Sequence, residues 1–271
     1  MLGSKKPYIG ITGVGDEQDA EALLRMHQET QKGSHTLMLG AQVSYRTVAG
    51  LTEGTSSLSR DSVKRVYRKV KDNANENPMF SLHYGTRPLE QIDEDIREAA
   101  RPVVEKPLSD QVSYVMDAIY KDFVSAGQGF RLGLQVNVTW PDPKELRKIK
   151  LRYPRAEVTL QLSEFTGLAG RMQSYDAIDY VLIDSSRGRG VMFDSSDSVS
   201  VARSVAAFTP AGLVFAGGLS DQNVYGVVTR LRSLLGTDNF GVDAQDMLKT
   251  GSKLDIRKAS EYLRKAEEAF S

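Results

Sequence analysis

Three observations predict a (β/α)8 barrel, an α/β fold in a single domain. Eight short apolar runs alternate along the chain with eight amphipathic runs. The apolar runs are rich in β-branched and aromatic residues and are bounded by Gly, Pro, Asn or Asp, as strands are. The length, 271 residues, matches the size of about 250 residues typical of such a barrel. Repeated strand–helix units argue for a parallel sheet with helices outside it. Eight units favour closure into a TIM barrel over the rival arrangement, an open doubly wound sheet.

The strand-like runs are residues 8–12, 36–42, 79–84, 132–139, 157–162, 180–184, 213–216 and 240–244. The helix-like runs lie between them. Residues 16–31 place Ala20, Leu23, Leu24 and His27 on one face, and 61–70 place Val63, Val66 and Val70 together. Residues 111–126 do the same with Val112, Val115, Ile119 and Phe123. Residues 143–149 open with Pro143, which suits a first helical turn. Shorter stretches follow at 164–172 and 198–208. The last two helices, 221–235 and 255–270, repeat Val224, Val228, Leu231 and Ile256, Ala259, Leu263, Ala266. One segment breaks the rhythm. Residues 85–110 separate the third strand from its helix, with the makings of a short helix over 89–100 and stiffening by Pro102 and Pro107. Loops after barrel strands face the functional end, so this insertion is either a lid or a surface elaboration.

Composition excludes several classes. Lys+Arg and Asp+Glu total 35 each, so no net charge draws the chain to nucleic acid or to an anionic membrane. With no cysteine there are no disulfides, thiolate metal sites or cysteine nucleophiles. This suits a reducing, cytoplasmic location. Lys5 and Lys6 are followed by no apolar run of the kind a secretory signal needs, and no stretch of about 18 apolar residues exists to span a membrane. The expected partner is a small-molecule metabolite, bound by a monomer or homodimer without a cofactor.

In this fold the chemistry sits at the C-terminal ends of the strands. The polar residues there are Thr12; Gln42, Tyr45 and Arg46; His83 and Tyr84; Gln135, Asn137 and Trp140; Gln161, Ser163 and Glu164; Asp184; Gly217 and Gly218; and Asp243, Gln245 and Asp246. Asp184 ends the apolar run 180–183, where partial desolvation raises a carboxyl toward a useful general acid. Otherwise it orders its own loop, 185–190. Gly217-Gly218 precede a helix and let backbone N–H groups approach an anion, or else make a tight turn. Arg46, Arg187 and Arg189 are rim cations able to clamp a carboxylate or phosphate. His83 is the one histidine near the rim and is a candidate acid or base. Three scattered histidines argue against a metal site, and a magnesium site would need Glu164, Asp184 and Asp243 together. Gly13-Val14-Gly15 lacks the third glycine of a dinucleotide fingerprint. No lysine falls within or just after a predicted strand, which argues against a Schiff-base aldolase.

Four pieces of the chain, in order, resemble phosphoribosylanthranilate isomerase. They are Ile9-Gly10-Ile11-Thr12 with Asp19-Ala20; Leu182-Ile183-Asp184 with Gly188, Gly190 and Phe193-Asp194; Phe215-Ala216-Gly217-Gly218-Leu219-Ser220 with Asn223-Val224; and Phe240-Gly241-Val242-Asp243. The resemblance implies a (β/α)8 enzyme that isomerises a phosphorylated sugar derivative, with Asp184 at the position of the family's acid. It also exposes departures. Ile9 stands where the family has its cysteine base, and Asn137 stands where it has a histidine. The phosphate-binding run after the eighth strand is replaced by Asp243-Ala244-Gln245-Asp246-Met247, where Asp246 would repel a dianion.

The expected function is therefore acid–base chemistry on a small, sugar-like metabolite, of isomerase or lyase type and distinct from the family reaction. Asp184 is the expected acid. His83, Glu164 or Asp243 is the expected base. Arg46, Asn137, Gln135, Arg189, Gly217, Gly218 and Gln245 are the expected substrate-binding residues. The alternatives are a non-catalytic metabolite- or partner-binding barrel, and the family isomerisation run with a substitute base.

Overall fold

Eight parallel strands close into one barrel in sequence order, in a computed structural model that describes residues 5–31, 35–73, 77–126, 129–184 and 195–271. The strands are β1 (Tyr8–Thr12), β2 (Thr36–Ser44), β3 (Met79–Gly85), β4 (Arg131–Asn137), β5 (Glu157–Leu162), β6 (Tyr180–Asp184), β7 (Gly212–Ala216) and β8 (Gly241–Ala244). Closure is made by β8 lying beside β1, with Ile9, Gly10 and Ile11 opposite Val242, Asp243 and Ala244. Strands β1, β5 and β6 have the predicted bounds. Strand β4 ends at Asn137, so Val138 and Thr139 belong to the loop above it.

Alternation along each strand sorts its side chains between two cores. Ile9, Ile11, Leu37, Leu39, Leu132, Leu134, Val181 and Ile183 pack outward against the helices in the main cluster. Tyr8, Met38, Met79, Tyr180, Leu182 and Val214 form a smaller cluster inside the barrel. The same alternation therefore turns Gly10 and Thr12, His83, Gln135, Gln161, Asp184 and Asp243 inward, above that inner cluster.

The helices start where the sequence supplies caps. Helix α1 (Glu17–Thr30) is capped by the Asp16 carboxylate, which accepts from the Gln18 and Asp19 amides. Helix α11 (Ile256–Phe270) is capped in the same way by Asp255. Helix α3 spans Arg60–Asp72 and α7 spans Pro143–Arg152. The predicted helix 111–126 is two helices, α5 (Leu108–Met116) and α6 (Tyr120–Ser125). At the break, Asp117 is taken by α7, accepting from Arg152 at 2.5 Å and from the Tyr153 hydroxyl at 2.6 Å. Helix α8 (Leu168–Met172), α9 (Ser195–Ala206) and α10 (Val224–Leu235) complete the ring.

Two features go beyond the sequence reading. A short helix, α2 (Tyr45–Ala49), follows β2 directly. A two-stranded hairpin, β9 (Lys249–Thr250) with β10 (Lys253–Leu254), connects β8 to α11. Two-residue strands are too short to show a period of two in sequence.

The insertion folds as a 3-10 turn at Leu89–Gln91 followed by α4 (Glu94–Val104). Helix α4 runs through Pro102 and buries Ala100 and Val103 against Tyr45 and Ile92 in a small core of its own. Its return is fixed by Gln111, whose amide accepts from the Tyr84 hydroxyl at 2.7 Å and donates to the Lys106 carbonyl at 2.7 Å. The insertion is thus a packed wall built on α2.

Candidate functional site

The C-terminal end of the barrel opens into a cavity of about 970 Å³, lined mainly by residues of β2, β3, β5, β6, the insertion and the segment after β8. Beneath it lies a second chamber of about 80 Å³, bounded by Asp184, Asp243, Gly217, Gly218 and Gln245 among others. His83, Gln161, Asp184 and Gln245 line both spaces, so the two are parts of one site.

At the boundary between the chambers, four inward side chains form a directed chain of hydrogen bonds. The Gln161 Nε2 group donates to Asp184 Oδ2 at 3.1 Å. This orients Gln161 so that its Oε1 faces His83 Nε2 at 3.2 Å and accepts from Gln135 Nε2 at 3.1 Å. His83 Nε2 lies 3.2 Å from the Gln135 Nε2 group as well, so it faces one acceptor and one donor, and the ring tautomer sets which of the two bonds it makes. The His83 Nδ1 atom is buried and has no partner among the described residues. Burial, followed by the nearby charge of Lys249, lowers the His83 pKa to about 4 against the favourable Gln161 hydrogen bond, so the ring is neutral at pH 7.

Asp243 sits deeper. It pairs across β1 with Gly10, and a Cβ built at Gly10 would lie 2.7 Å from Asp243 Oδ1. Glycine at position 10 is thus what gives the carboxyl its place in the lumen. The Thr12 hydroxyl donates to Asp243 at 3.1 Å. Burial is the largest influence on Asp243 and the Asp184 charge adds to it, raising its pKa to about 7 despite the Thr12 bond. Burial and a like charge both penalise the ionised form.

The other expected site residues are placed as follows. Gln245 donates to the Gln42 Oε1 at 3.0 Å and lines both chambers. Asn137 lines the upper cavity, and Gln135 lines the lower chamber. Arg46 lines the upper cavity and pairs with Asp93 of the insertion at 3.0 Å. Gly217 and Gly218 have φ of 96° and 70°, conformations that favour glycine. Their loop is held by Asn223, whose side chain donates to the Gly218 carbonyl and accepts from the Ser220 amide, both at 2.8 Å. Glu164 is exposed and lines neither chamber, because the loop after β5 turns it to solvent. It therefore does not join Asp184 and Asp243 in one carboxylate cluster. Arg187 and Arg189, with the 185–190 loop and the motif residues Gly188, Gly190, Phe193 and Asp194, lie outside the described residues. His27 is buried 3.1 Å from Glu267 between α1 and α11, and His35 bonds the Phe240 carbonyl at 3.0 Å. Neither lines either chamber.

Three sequence expectations change. Ile9 packs outward against the helices, so position 9 presents no side chain to the cavity, and a base there would not reach it. Asp246 is not an isolated negative charge, because Lys249 pairs with it at 2.8 Å. Lys249 itself lines the upper cavity and was missed because it lies five residues beyond the end of β8, brought back over the barrel by the β9–β10 hairpin. The lack of lysine just after the predicted strands is therefore no argument against a cavity amine. Arg87, Gln91 and Val104 of the insertion also line the cavity and carry no recognisable motif.

No known family model matches the chain, and no curated protein matches it. Among solved structures, it is similar to phosphoribosyl anthranilate isomerase in complex with reduced 1-(o-carboxyphenylamino)-1-deoxyribulose 5-phosphate. That match has 16% identity and a TM-score of 0.56 and covers 97% of this chain and 99% of the other. The isomerase from Thermococcus kodakaraensis matches at 14% identity and TM-score 0.53 over 97% and 96% of the two chains. The likeness is one of fold. 3-Hexulose-6-phosphate synthase from Salmonella typhimurium, an enzyme with a different name, matches over 98% of both chains at 10% identity and TM-score 0.52. These matches place the chain among TIM barrels without singling out the isomerase family.

Proposed function

We propose that this barrel is an enzyme that moves protons on a small, polyhydroxylated, sugar-like metabolite, as an isomerase or lyase does. The observation that carries the reading is the pairing of two buried carboxyl groups, Asp184 and Asp243, around one small chamber, with the Asp243 pKa near 7. Two carboxyl groups around one chamber can act as acid and base in one site.

Asp243 holds the proton below neutral pH and gives it to the substrate oxygen. Asp184, accepting a hydrogen bond from Gln161, takes a proton from the adjacent carbon. The two roles reverse on the return half of an isomerisation, so both groups end as they began. This exchanges the acid role expected from the sequence for Asp184. His83, neutral and fixed by Gln161, is a hydrogen-bonding residue that holds the substrate carbonyl or hydroxyl in place. The Asn137 amide, which lines the upper cavity, suits hydroxyl groups because it offers a donor and an acceptor, and the Gln42 Nε2 group adds a donor. The isomerase bound to a deoxyribulose 5-phosphate derivative supports phosphorylated sugars as the first class to test. The family isomerisation itself belongs in that test.

The experiment is proton exchange. The protein is incubated in deuterated buffer with pentoses, hexoses and their phosphates, and loss of carbon-bound protons is followed by NMR. Exchange at a carbon next to a carbonyl is expected, and is lost in Asp184→Asn. Ligand protection in a thermal melt without exchange for any compound would replace the enzyme reading with that of a non-catalytic metabolite-binding barrel.

A further inference from the structure

Lys249 is a cation inside the cavity that the reaction proposed above does not use. Its aliphatic stem lies across Gly13 in the β1–α1 turn, where φ is +103° and an added Cβ would sit 3.3 Å from Lys249 Cε. That turn is pinned, since the Gly13 and Val14 amides both donate to the Gly40 carbonyl, at 2.8 and 3.1 Å. The ammonium is thereby carried to Gln42, whose Oε1 it approaches at 3.4 Å. Gln245 donates to the same oxygen at 3.0 Å. The Gln42 oxygen is therefore fully engaged, and among the described residues no acceptor takes up its Nε2 protons. Beside the Asp246 carboxylate, which pairs with Lys249 at 2.8 Å, this corner offers a ligand the Gln42 Nε2 protons and the Lys249 ammonium.

The lysine's counter-ion is weakly held. The Lys249 side chain is 10% exposed, whereas that of Asp246 is 75% exposed. A pair with one partner in solvent contributes little. An oxyanion entering from the cavity meets the same ammonium, whose side chain is largely withdrawn from solvent, and a charge-assisted hydrogen bond there is stronger than one at an exposed pair.

We infer that Lys249, with the Gln42 amide beside it, is an oxyanion-recognition site on the β1–β2 side of the cavity, so that the metabolite carries a phosphate monoester or carboxylate that displaces Asp246. The site stands apart from the glycine turn after β7. It rests on the reading of this cavity as the metabolite site.

The test uses ribose 5-phosphate, ribonate, inorganic phosphate and neutral ribose as probes, with binding measured by calorimetry. In the wild-type protein at least one of the three anions binds more tightly than ribose. Lys249→Met weakens that anion by about tenfold or more, the effect of losing one charged hydrogen bond, and leaves ribose unchanged. Lys249→Arg restores part of the loss. Asp246→Asn acts in the opposite direction and tightens the anion, because the competing counter-ion is gone. Preference for ribose 5-phosphate over ribonate identifies the group as phosphate, and the reverse preference as carboxylate. The inference is overturned if no anion binds the wild type better than ribose, if Lys249→Met binds anions as well as wild type, or if Asp246→Asn weakens them. A failure of the catalytic reading looks different. Proton exchange would then be absent while anion binding still depended on Lys249.

Discussion

The two ends of the barrel lumen are built from similar polar groups and use them in opposite ways. At the N-terminal end, Arg131 on β4 reaches Glu157 on β5 at 2.6 Å, the Thr36 hydroxyl at 3.1 Å and the Tyr180 hydroxyl. The Tyr180 hydroxyl in turn donates to the Lys6 carbonyl at 2.7 Å. Positive meets negative, and donors meet acceptors. At the C-terminal end, two carboxyl groups share a chamber, and a neutral histidine has one nitrogen without a partner among the described residues. A satisfied polar network fixes the strands. An unsatisfied one in a cavity retains hydrogen-bonding capacity that a ligand can use. The difference teaches that stability and chemistry occupy opposite ends of the same strands here.

The comparison breaks if the C-terminal carboxyl groups prove to be structural. Asp243→Asn keeps the shape of the side chain and removes its acid–base function. Proton exchange is expected to fall about 10²–10⁴-fold, with no loss of thermal stability at pH 8. A cooperative loss of fold in that variant would assign Asp243 to the scaffold. The converse applies to Arg131→Met. It leaves Glu157 half-buried without its partner, and destabilisation of about 3 kcal/mol is expected, read as a lowered urea midpoint, while exchange per folded molecule is unchanged.

The pH dependence of stability sharpens the contrast, because Asp243 and His83 at the C-terminal end act with opposite sign. The Asp243 pKa rises from 3.8 to about 7 on folding. The folded state therefore holds that proton more tightly, and the stability it confers is full below pH 3.8 and lost as pH rises toward 7. The His83 pKa falls from 6.5 to about 4. Its contribution is full above pH 6.5 and lost as pH falls toward 4. Each spans about 3–4 kcal/mol, and over their shared window they largely cancel. Asp243→Asn should therefore uncover a stability that rises with pH from about 4 to 6.5, and His83→Gln one that falls with pH from about 4 to 7. Chemical denaturation across that range reads both, and parallel slopes for the two variants would contradict the assignment.

The fold was legible because strand and helix periods are local properties, and eight repeats reinforce one another. The inward set was also legible, since alternation from any one strand fixes the face of every residue on it. His83, Gln135, Asp184 and Asp243 follow from that rule alone. Contacts that depend on where loops travel were not legible. Glu164 is adjacent to β5 in sequence yet turned to solvent, and Lys249 is remote from β8 in sequence yet over the cavity. Ile9 shows the limit of resemblance. A motif aligned letter by letter put it at a catalytic position, while the strand's alternation turned it toward the helices. The Asp243 pKa depends on what lies opposite it, a glycine on β1, which the sequence holds 233 residues away.

Gly10 tests that last point directly. Gly10→Ala adds a methyl group that would lie 2.7 Å from Asp243 Oδ1 and 2.8 Å from the Met38 methyl. The methionine end can yield, but the carboxyl is held by Thr12 on the same strand. Overpacking of this kind costs about 1–3 kcal/mol, less than the Arg131 change, and it should push the carboxyl away from Thr12. Exchange is then expected to fall, with the fold retained. The N-terminal end offers a matched control at Gly212 on β7. An added Cβ there would crowd the Tyr180 ring at 2.6 Å, a side chain tied to Arg131 and Lys6 rather than to the carboxyl pair. Gly212→Ala should cost a similar amount of stability and leave exchange per folded molecule intact. Equal losses of exchange in both variants would mean that the two ends of the lumen are coupled through the barrel rather than divided in their roles.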